Sequence, residues 1–101
     1  ESPAVELAKQ LQRLGGEVHA FEPFRTHAPL EEIRLVDNLE SALSKADLIV
    51  LAVGHDQFVD LDPSSIREMT SANVVFDAVN AWNKHDWESS GFQFSGLARK
   101  K

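Results

Sequence analysis

The chain has 101 residues, of which 43% are hydrophobic and 26% charged, and its formal charge is −6 at pH 7. This length suits one domain with one core. The acidic balance argues against nucleic acid or an anionic membrane as partner. The absence of cysteine excludes disulfides, thiolate metal sites and a thiol nucleophile within these residues. Because there is neither a bilayer-length apolar run nor a signal-peptide pattern, we expect a cytoplasmic protein.

The chain opens on a predicted amphipathic helix. Ser2 and Pro3 suit its N-cap and first helical position. Gly15-Gly16 predicts its end. The apolar residues between them recur at helical spacing on one face: Ala4, Leu7, Ala8, Leu11 and Leu14.

Short strands and helices then alternate along the rest of the chain. Strands are predicted over residues 17–21, 33–36, 47–53, 73–77 and 92–95, with a loop over 22–30. Asn38 predicts the cap of a second helix, Asp62 or Ser64 that of a third, and a weak helix leads up to Gly91. This alternation is typical of a doubly wound α/β fold. We therefore predict a single domain over residues 1–101, with a Rossmann-like, mainly parallel sheet of about five strands and helices on both faces.

One continuous apolar run dominates the middle of the chain. It follows Ala46-Asp47, covers residues 48–53 and ends at Gly54, after which come His55, Asp56 and Phe58. Such a run suits a strand covered on both faces, at or near the middle of a parallel sheet. Ligands bind beyond the carboxyl ends of such strands, where Gly54 and its successors would lie. An ordinary strand-to-helix turn is the alternative.

The chain lacks a phosphate-binding glycine turn. Nucleotide-binding α/β units normally begin on a strand whose following Gly-rich turn cradles phosphate. Gly15-Gly16 instead lies at the carboxyl end of a helix, which is the wrong end for an anion. Either the fold never had such a strand, or the sequence begins just after it.

Several short motifs, in order, resemble the C-terminal UDP-binding domain of nucleotide-sugar dehydrogenases, the family that includes the UDP-glucose and UDP-N-acetylmannosamine dehydrogenases. His55-Asp56-Gln57-Phe58 stands where that family usually has His-Asp-Glu-Phe, and residues 75–80 resemble its Asp-x-Arg-Asn segment. The other matching landmarks are Glu1-Ser2-Pro3-Ala4, Gly16-Glu17-Val18, Glu22-Pro23, Asp37, Leu39–Ala42, Ala46-Asp47, Gly91-Phe92, Gly96 and Arg99. The resemblance covers essentially the whole chain.

The resemblance implies an oxidoreductase activity for the parent protein. Enzymes of this family oxidise the C6 alcohol of a UDP-sugar to a carboxylate, using two NAD⁺ in sequence and a catalytic cysteine. It further implies that NAD and the cysteine belong to an N-terminal domain, and that a central helical domain forms a dimer or higher oligomer. This chain would then be a catalytically inert fragment, without cofactor of its own, that binds the UDP-sugar in contact with the remaining domains.

The resemblance also implies a substrate-binding set, with one departure. The set is Gly54, His55, Asp77, Val79 and Asn80. Val79 occupies the position where the family usually has an arginine that contacts the nucleotide-sugar. A valine cannot donate a bidentate hydrogen bond to an anion. Ala81-Trp82 resembles family members that act on N-acetylated hexosamines, in which this position varies more.

The other polar and aromatic candidates have structural alternatives. His55 could contact a ligand or cap the following turn, and Asp56 is better placed to cap the short turn before Phe58 than to take part in chemistry. No two of the four histidines (19, 27, 55 and 85) pair with carboxylates at a metal-binding spacing, so we predict no metal. Glu22 closes a strand where dinucleotide folds place an acid on ribose, a weak signal here. Phe58 suits the core, whereas Trp82 and Trp87 are candidates for an exposed or interface position.

Two classes of function remain open from the sequence. The first is the UDP-binding domain of an NAD-dependent nucleotide-sugar dehydrogenase. The second is a free-standing flavodoxin-like nucleotide-binding or regulatory module without enzymatic activity. A phosphoacceptor receiver is a poor version of the second, because the central strand ends in Val53-Gly54 rather than in an acceptor aspartate.

Overall fold

The computed structural model describes residues 3–21 and 34–96. Contacts divide the chain into two compact units, Glu1–Ala42 and Leu43–Lys101. The Ser2 cap, Glu22, the loop over 22–30, His27 and Arg99 lie outside the described residues. No helix in the described ranges has the length and hydropathy to cross a bilayer.

The first unit contains the first helix and a two-stranded parallel sheet. Helix α1 is Pro3–Arg13, β1 is His19–Phe21 and β2 is Arg34–Val36. Gly15 has φ +100 and ends the helix, as predicted. Its N–H donates to Gln12 O at 3.0 Å and the Gly16 N–H to Leu11 O at 3.1 Å, which are the paired bonds of a Schellman cap.

Helix α2 spans Leu39–Leu43 and begins at the predicted cap. The Ser41 N–H donates to Asn38 Oδ1 at 2.8 Å, which satisfies one donor of the first turn.

The second unit is a three-stranded parallel sheet with three short helices. Its elements, in chain order, are β3 (Leu48–Leu51), α3 (Asp56–Val59), α4 (Pro63–Met69), β4 (Val74–Asp77), α5 (Lys84–Ser89) and β5 (Gln93–Gly96). The strand order is β3-β4-β5, and both neighbours run parallel to β4. The parallel α/β prediction is therefore confirmed. One sheet of about five strands is not, because the five described strands form a two-stranded and a three-stranded sheet.

The central strand of this sheet is β4 rather than β3. Val75 on β4 is fully buried, and Ile49 and Leu51 of β3 are 6% and 4% exposed. Leu48, however, is 40% exposed and Val50 is half-buried. The prediction that the apolar run lies centrally and is covered on both faces was wrong. The run is an edge strand in this sheet, and its alternate residues point to a less covered face.

Polar side chains fix the ends of the elements around this core. Thr70, which follows α4, donates its hydroxyl to Leu43 O at 2.6 Å and accepts the Ala72 N–H at 3.0 Å. Asp62 is the N-cap of α4, one of the two predicted caps, and accepts the Ser64 N–H. Gly91, with φ +101, follows α5 as predicted.

Candidate functional site

The carboxyl ends of β3 and β4 lie side by side. Leu51 and Asp77 pair at the last position of the register, and the Ala78 N–H donates to Leu51 O at 2.9 Å. The chain then leaves each strand in a loop: residues 52–58 form the β3 loop and residues 78–82 the β4 loop. Because the strands are parallel, both loops open on the same edge of the sheet.

His55 in the β3 loop is the N-cap of α3. Its Nδ1 accepts the Gln57 N–H at 3.0 Å, and its ring meets Phe58 edge-on with centroids 5.9 Å apart. Since Nδ1 accepts, the neutral ring carries its hydrogen on Nε2, which is its donor. The capping interpretation of His55 is confirmed. Asp56 is the first residue of α3, so its prediction as the cap was wrong.

Asp77 closes β4 and shapes the β4 loop from inside. It is 1% exposed. Its Oδ1 accepts the Val79 N–H at 3.0 Å and its Oδ2 accepts the Trp82 N–H at 2.8 Å. Both carboxylate oxygens thus hold backbone amides of the β4 loop.

The exposed part of this edge is formed by Gly54, Val79 and Asn80. Val79 is 39% exposed, and a Cβ added at Gly54 would lie 3.9 Å from Val79 Cγ2, so the two loops approach closely here. Asn80 has φ +57, a left-handed conformation that non-glycine residues seldom adopt. A Cβ added at Gly96, the last residue of β5, would lie 3.2 Å from Asp77 O, directly before the β4 loop. The fold therefore brings all five predicted site residues to one edge.

Trp82 is a structural part of this edge that sequence reasoning misplaced. It is 8% exposed and stacks on Trp87, which is 2% exposed, with centroids 4.0 Å apart. Its Nε1–H donates to Phe58 O at 2.8 Å. The prediction of exposed or interface tryptophans was wrong, because the two indoles bury each other within the unit.

The family model for the UDP binding domain of the UDP-glucose/GDP-mannose dehydrogenase family matches residues 1–84, which include both loops. The chain belongs to this family. This confirms the resemblance and favours the first of the two classes that the sequence left open.

Relatives of the domain are larger proteins. This chain is 37% identical over 86 residues to the NDP-N-acetyl-D-galactosaminuronic acid dehydrogenase of Ralstonia nicotianae, and the alignment covers 82% of this chain and 19% of that protein. It is 28% identical over 96 residues to the UDP-N-acetyl-D-mannosamine dehydrogenase of Methanocaldococcus jannaschii, covering 92% and 22%. The identity to the UDP-glucose 6-dehydrogenase of Rickettsia bellii is 25% over 104 residues, which cover 98% of this chain and 24% of that protein. The chain thus spans about a fifth of the length of the curated relatives it matches.

The fold has a solved counterpart. The NDP-N-acetyl-D-galactosaminuronic acid dehydrogenase of Methanosarcina mazei superposes with a TM-score of 0.79 at 24% identity, over 91% of this chain and 20% of that one. This likeness supports the α/β architecture of the domain.

The residues of this UDP-binding-family domain do not fit NAD. Gly15-Gly16 lies at the carboxyl end of α1, where carbonyls rather than N–H groups project, and no Gly-x-Gly-x-x-Gly turn occurs in the sequence. In the described ranges, no group of three or more His, Asp or Glu side chains could hold a metal ion. His19 contacts Glu17 at 2.8 Å and His85 contacts Ser89 at 3.5 Å. The side-chain groups of this edge that can hydrogen-bond are the imidazole of His55 and the amide of Asn80.

Proposed function

We propose that the chain is the UDP-binding domain of an NAD-dependent nucleotide-sugar 6-dehydrogenase. The parent enzyme oxidises the C6 alcohol of a UDP-hexose or UDP-N-acetylhexosamine to a carboxylate, and residues 1–101 form one domain of it. The observation that carries this proposal is the family match over residues 1–84, which includes both loops at the carboxyl edge. NAD and the catalytic cysteine belong to the other domains, and the parent enzyme is a dimer or larger.

An N-acetylated sugar is the substrate we favour. Relatives named for N-acetylated sugars are 37% and 28% identical to this chain, against 25% for the UDP-glucose 6-dehydrogenase. The Ala81-Trp82 pair points the same way. The domain holds the nucleotide rather than the reacting carbon, so its own contribution to sugar choice comes through the position of the β4 loop.

The chemistry of the edge explains how a uridine diphosphate would bind. An imidazole, as at His55, and a side-chain amide, as at Asn80, are groups that hydrogen-bond uracil carbonyls and phosphate oxygens. Asn80 supplies an amide that both donates and accepts. Val79 places an apolar surface where an arginine would hold the diphosphate. We therefore expect weak binding by this chain, with a Kd at or above about 1 mM, or roughly −4 kcal/mol.

A titration of UDP into the ¹⁵N-labelled chain tests the proposal. The amide signals of His55 and Asn80 should move in fast exchange, whereas those of Gly15-Gly16 and Lys45, which precede the amino ends of strands, should stay in place. Uridine in a parallel titration separates the base from the phosphates. Shifts that cluster at Gly15-Gly16 or Lys45, or no shifts at the highest UDP concentration that stays in solution, would refute the assignment.

A further inference from the structure

The β3 loop and the β4 loop are joined at both of their ends. At the start, the Ala78 N–H donates to Leu51 O at 2.9 Å. At the far end, the Trp82 Nε1–H donates to Phe58 O at 2.8 Å. Between these bonds Gly54 approaches Val79, with 3.9 Å from a Cβ built on the glycine to Cγ2 of the valine. Residues 51–58 and 77–82 thus form a closed ring of chain, here called the loop ring.

Trp82 is held both through its main chain and through its ring. Its main-chain N–H donates to the buried carboxylate of Asp77 at 2.8 Å, and its ring stacks on Trp87 with an interplanar angle of 24°. Trp87 in turn packs against Phe92 at 5.4 Å, and the Arg67 guanidinium lies 4.3 Å from the Phe92 centroid. The direction of the indole N–H of Trp82 is therefore set by its buried neighbours Asp77 and Trp87.

The element at the other end of this bond has little stability of its own. Helix α3 has four residues, a single turn, and such a turn is not stable without tertiary contacts. Phe58 belongs to this turn and contacts the ring of His55, its N-cap. The bond from Trp82 to Phe58 O therefore anchors α3, whose N-cap is His55, to the β4 loop.

We propose that Trp82 is a positioning residue for the nucleotide site. Its indole N–H holds the β3 loop and the β4 loop at the separation at which His55 and Asn80 reach the same uridine diphosphate, without itself touching the ligand. This inference rests on the proposed function and names the residue that keeps that site assembled.

Two matched variants of the 101-residue chain separate positioning from packing. Trp82→Phe keeps a ring in the stack but removes the N–H to Phe58 O, whereas Trp87→Phe makes the same truncation in the same stack and leaves that bond. Phe58 O still accepts the Leu61 N–H at 3.2 Å, so Trp82→Phe leaves no carbonyl without a partner. UDP is titrated into each ¹⁵N-labelled protein, and thermal unfolding is measured alongside.

Trp82→Phe should raise the Kd for UDP about fivefold, which corresponds to about 1 kcal/mol for one net hydrogen bond. Trp87→Phe should change the Kd less than about twofold, because it removes no bond of the loop ring. In the wild-type chain, the indole N–H signal of Trp82 should shift and exchange more slowly with solvent when UDP is added. The Trp87 indole signal should not.

The outcomes distinguish the two proposals. No response of the wild-type chain at His55 or Asn80 refutes the proposed function, and the positioning role with it. A wild-type response with equal Kd values for the two variants overturns the positioning role alone. If Trp82→Phe does not fold, the wild-type indole signals decide: a Trp82 N–H that UDP leaves unchanged refutes the inference.

Discussion

Replacing Asp77 by alanine should destabilise the second unit far more than removing an exposed carboxylate. Asp77 is 1% exposed, and its two oxygens accept the Val79 and Trp82 N–H groups at 3.0 and 2.8 Å. A hydrogen bond to a charged group contributes about 1.5–3 kcal/mol, so Asp77→Ala should cost about 3–6 kcal/mol. For a chain of this length that is a large part of a total of about 5–15 kcal/mol.

Asp77→Asn gives a graded second variant. An asparagine can accept only one of the two N–H groups at its oxygen, so about half of the loss is expected. For a domain of this size, about 2–3 kcal/mol corresponds to a fall in Tm of roughly 10–20 °C.

Asp62→Ala is the matched control for this prediction. Asp62 also accepts several hydrogen bonds, from the Ser64 N–H and from the Ser64 and Ser65 hydroxyls, but it is exposed. Loss of this N-cap should cost about 1 kcal/mol. Urea unfolding followed by fluorescence of the buried tryptophans measures all three variants. Equal losses for Asp77→Ala and Asp62→Ala would show that burial of the Asp77 carboxylate is not what makes its bonds important.

Three further outcomes are expected. The purified chain should produce no NADH from any UDP-sugar plus NAD⁺, because it has neither cysteine nor a dinucleotide-binding glycine turn. A rise in absorbance at 340 nm that depends on the protein would refute this. Val79→Arg should tighten UDP binding in the ¹⁵N titration, with a gain in binding free energy of up to about 1.5–3 kcal/mol, because the arginine supplies a charged donor. An unchanged Kd would mean that the diphosphate does not lie beside residue 79. Gly96→Ala should lower stability by about 1–3 kcal/mol in urea unfolding, because its Cβ would lie 3.2 Å from Asp77 O. Gly54→Ala is the control, because its Cβ would lie 3.9 Å from Val79 Cγ2. Equal losses of stability in the two variants would show that the close approach at Gly96 is not the cause.

Local signals in the sequence predicted where elements begin and end. Asn38, Asp62 and Gly15 each act through a hydrogen bond or dihedral that involves only neighbours in the chain. The apolar runs likewise predicted the strands, because burial against any covering layer favours the same residues. Helix caps and strand positions depend on residues that are close in the chain, so they can be predicted from the sequence.

Features set by partners distant in the chain could not be predicted in the same way. Trp82 is buried because Trp87 stacks on it and Phe58 O accepts its N–H, and the second contact joins positions 24 apart in the sequence. The apolar run of β3 suggested a central strand, but strand order depends on which strand pairs with both others, and that strand is β4. The five predicted site residues came from the resemblance, whereas the two hydrogen bonds of Asp77 beneath the β4 loop became evident only in the structure.

The parallel order of the second sheet has a consequence for how the protein folds. β3 pairs with β4 across a sequence separation of 26 residues, from Leu48 to Val74, and β4 pairs with β5 across 19, from Val74 to Gln93. Loop-closure entropy grows only with the logarithm of length, so the two separations differ by about 0.3 kcal/mol. Neither pairing is local, which favours slow folding relative to a helical bundle of the same size. The edge that carries the two loops is complete only once β3 has paired with β4, so its formation requires the longer of the two crossovers to close.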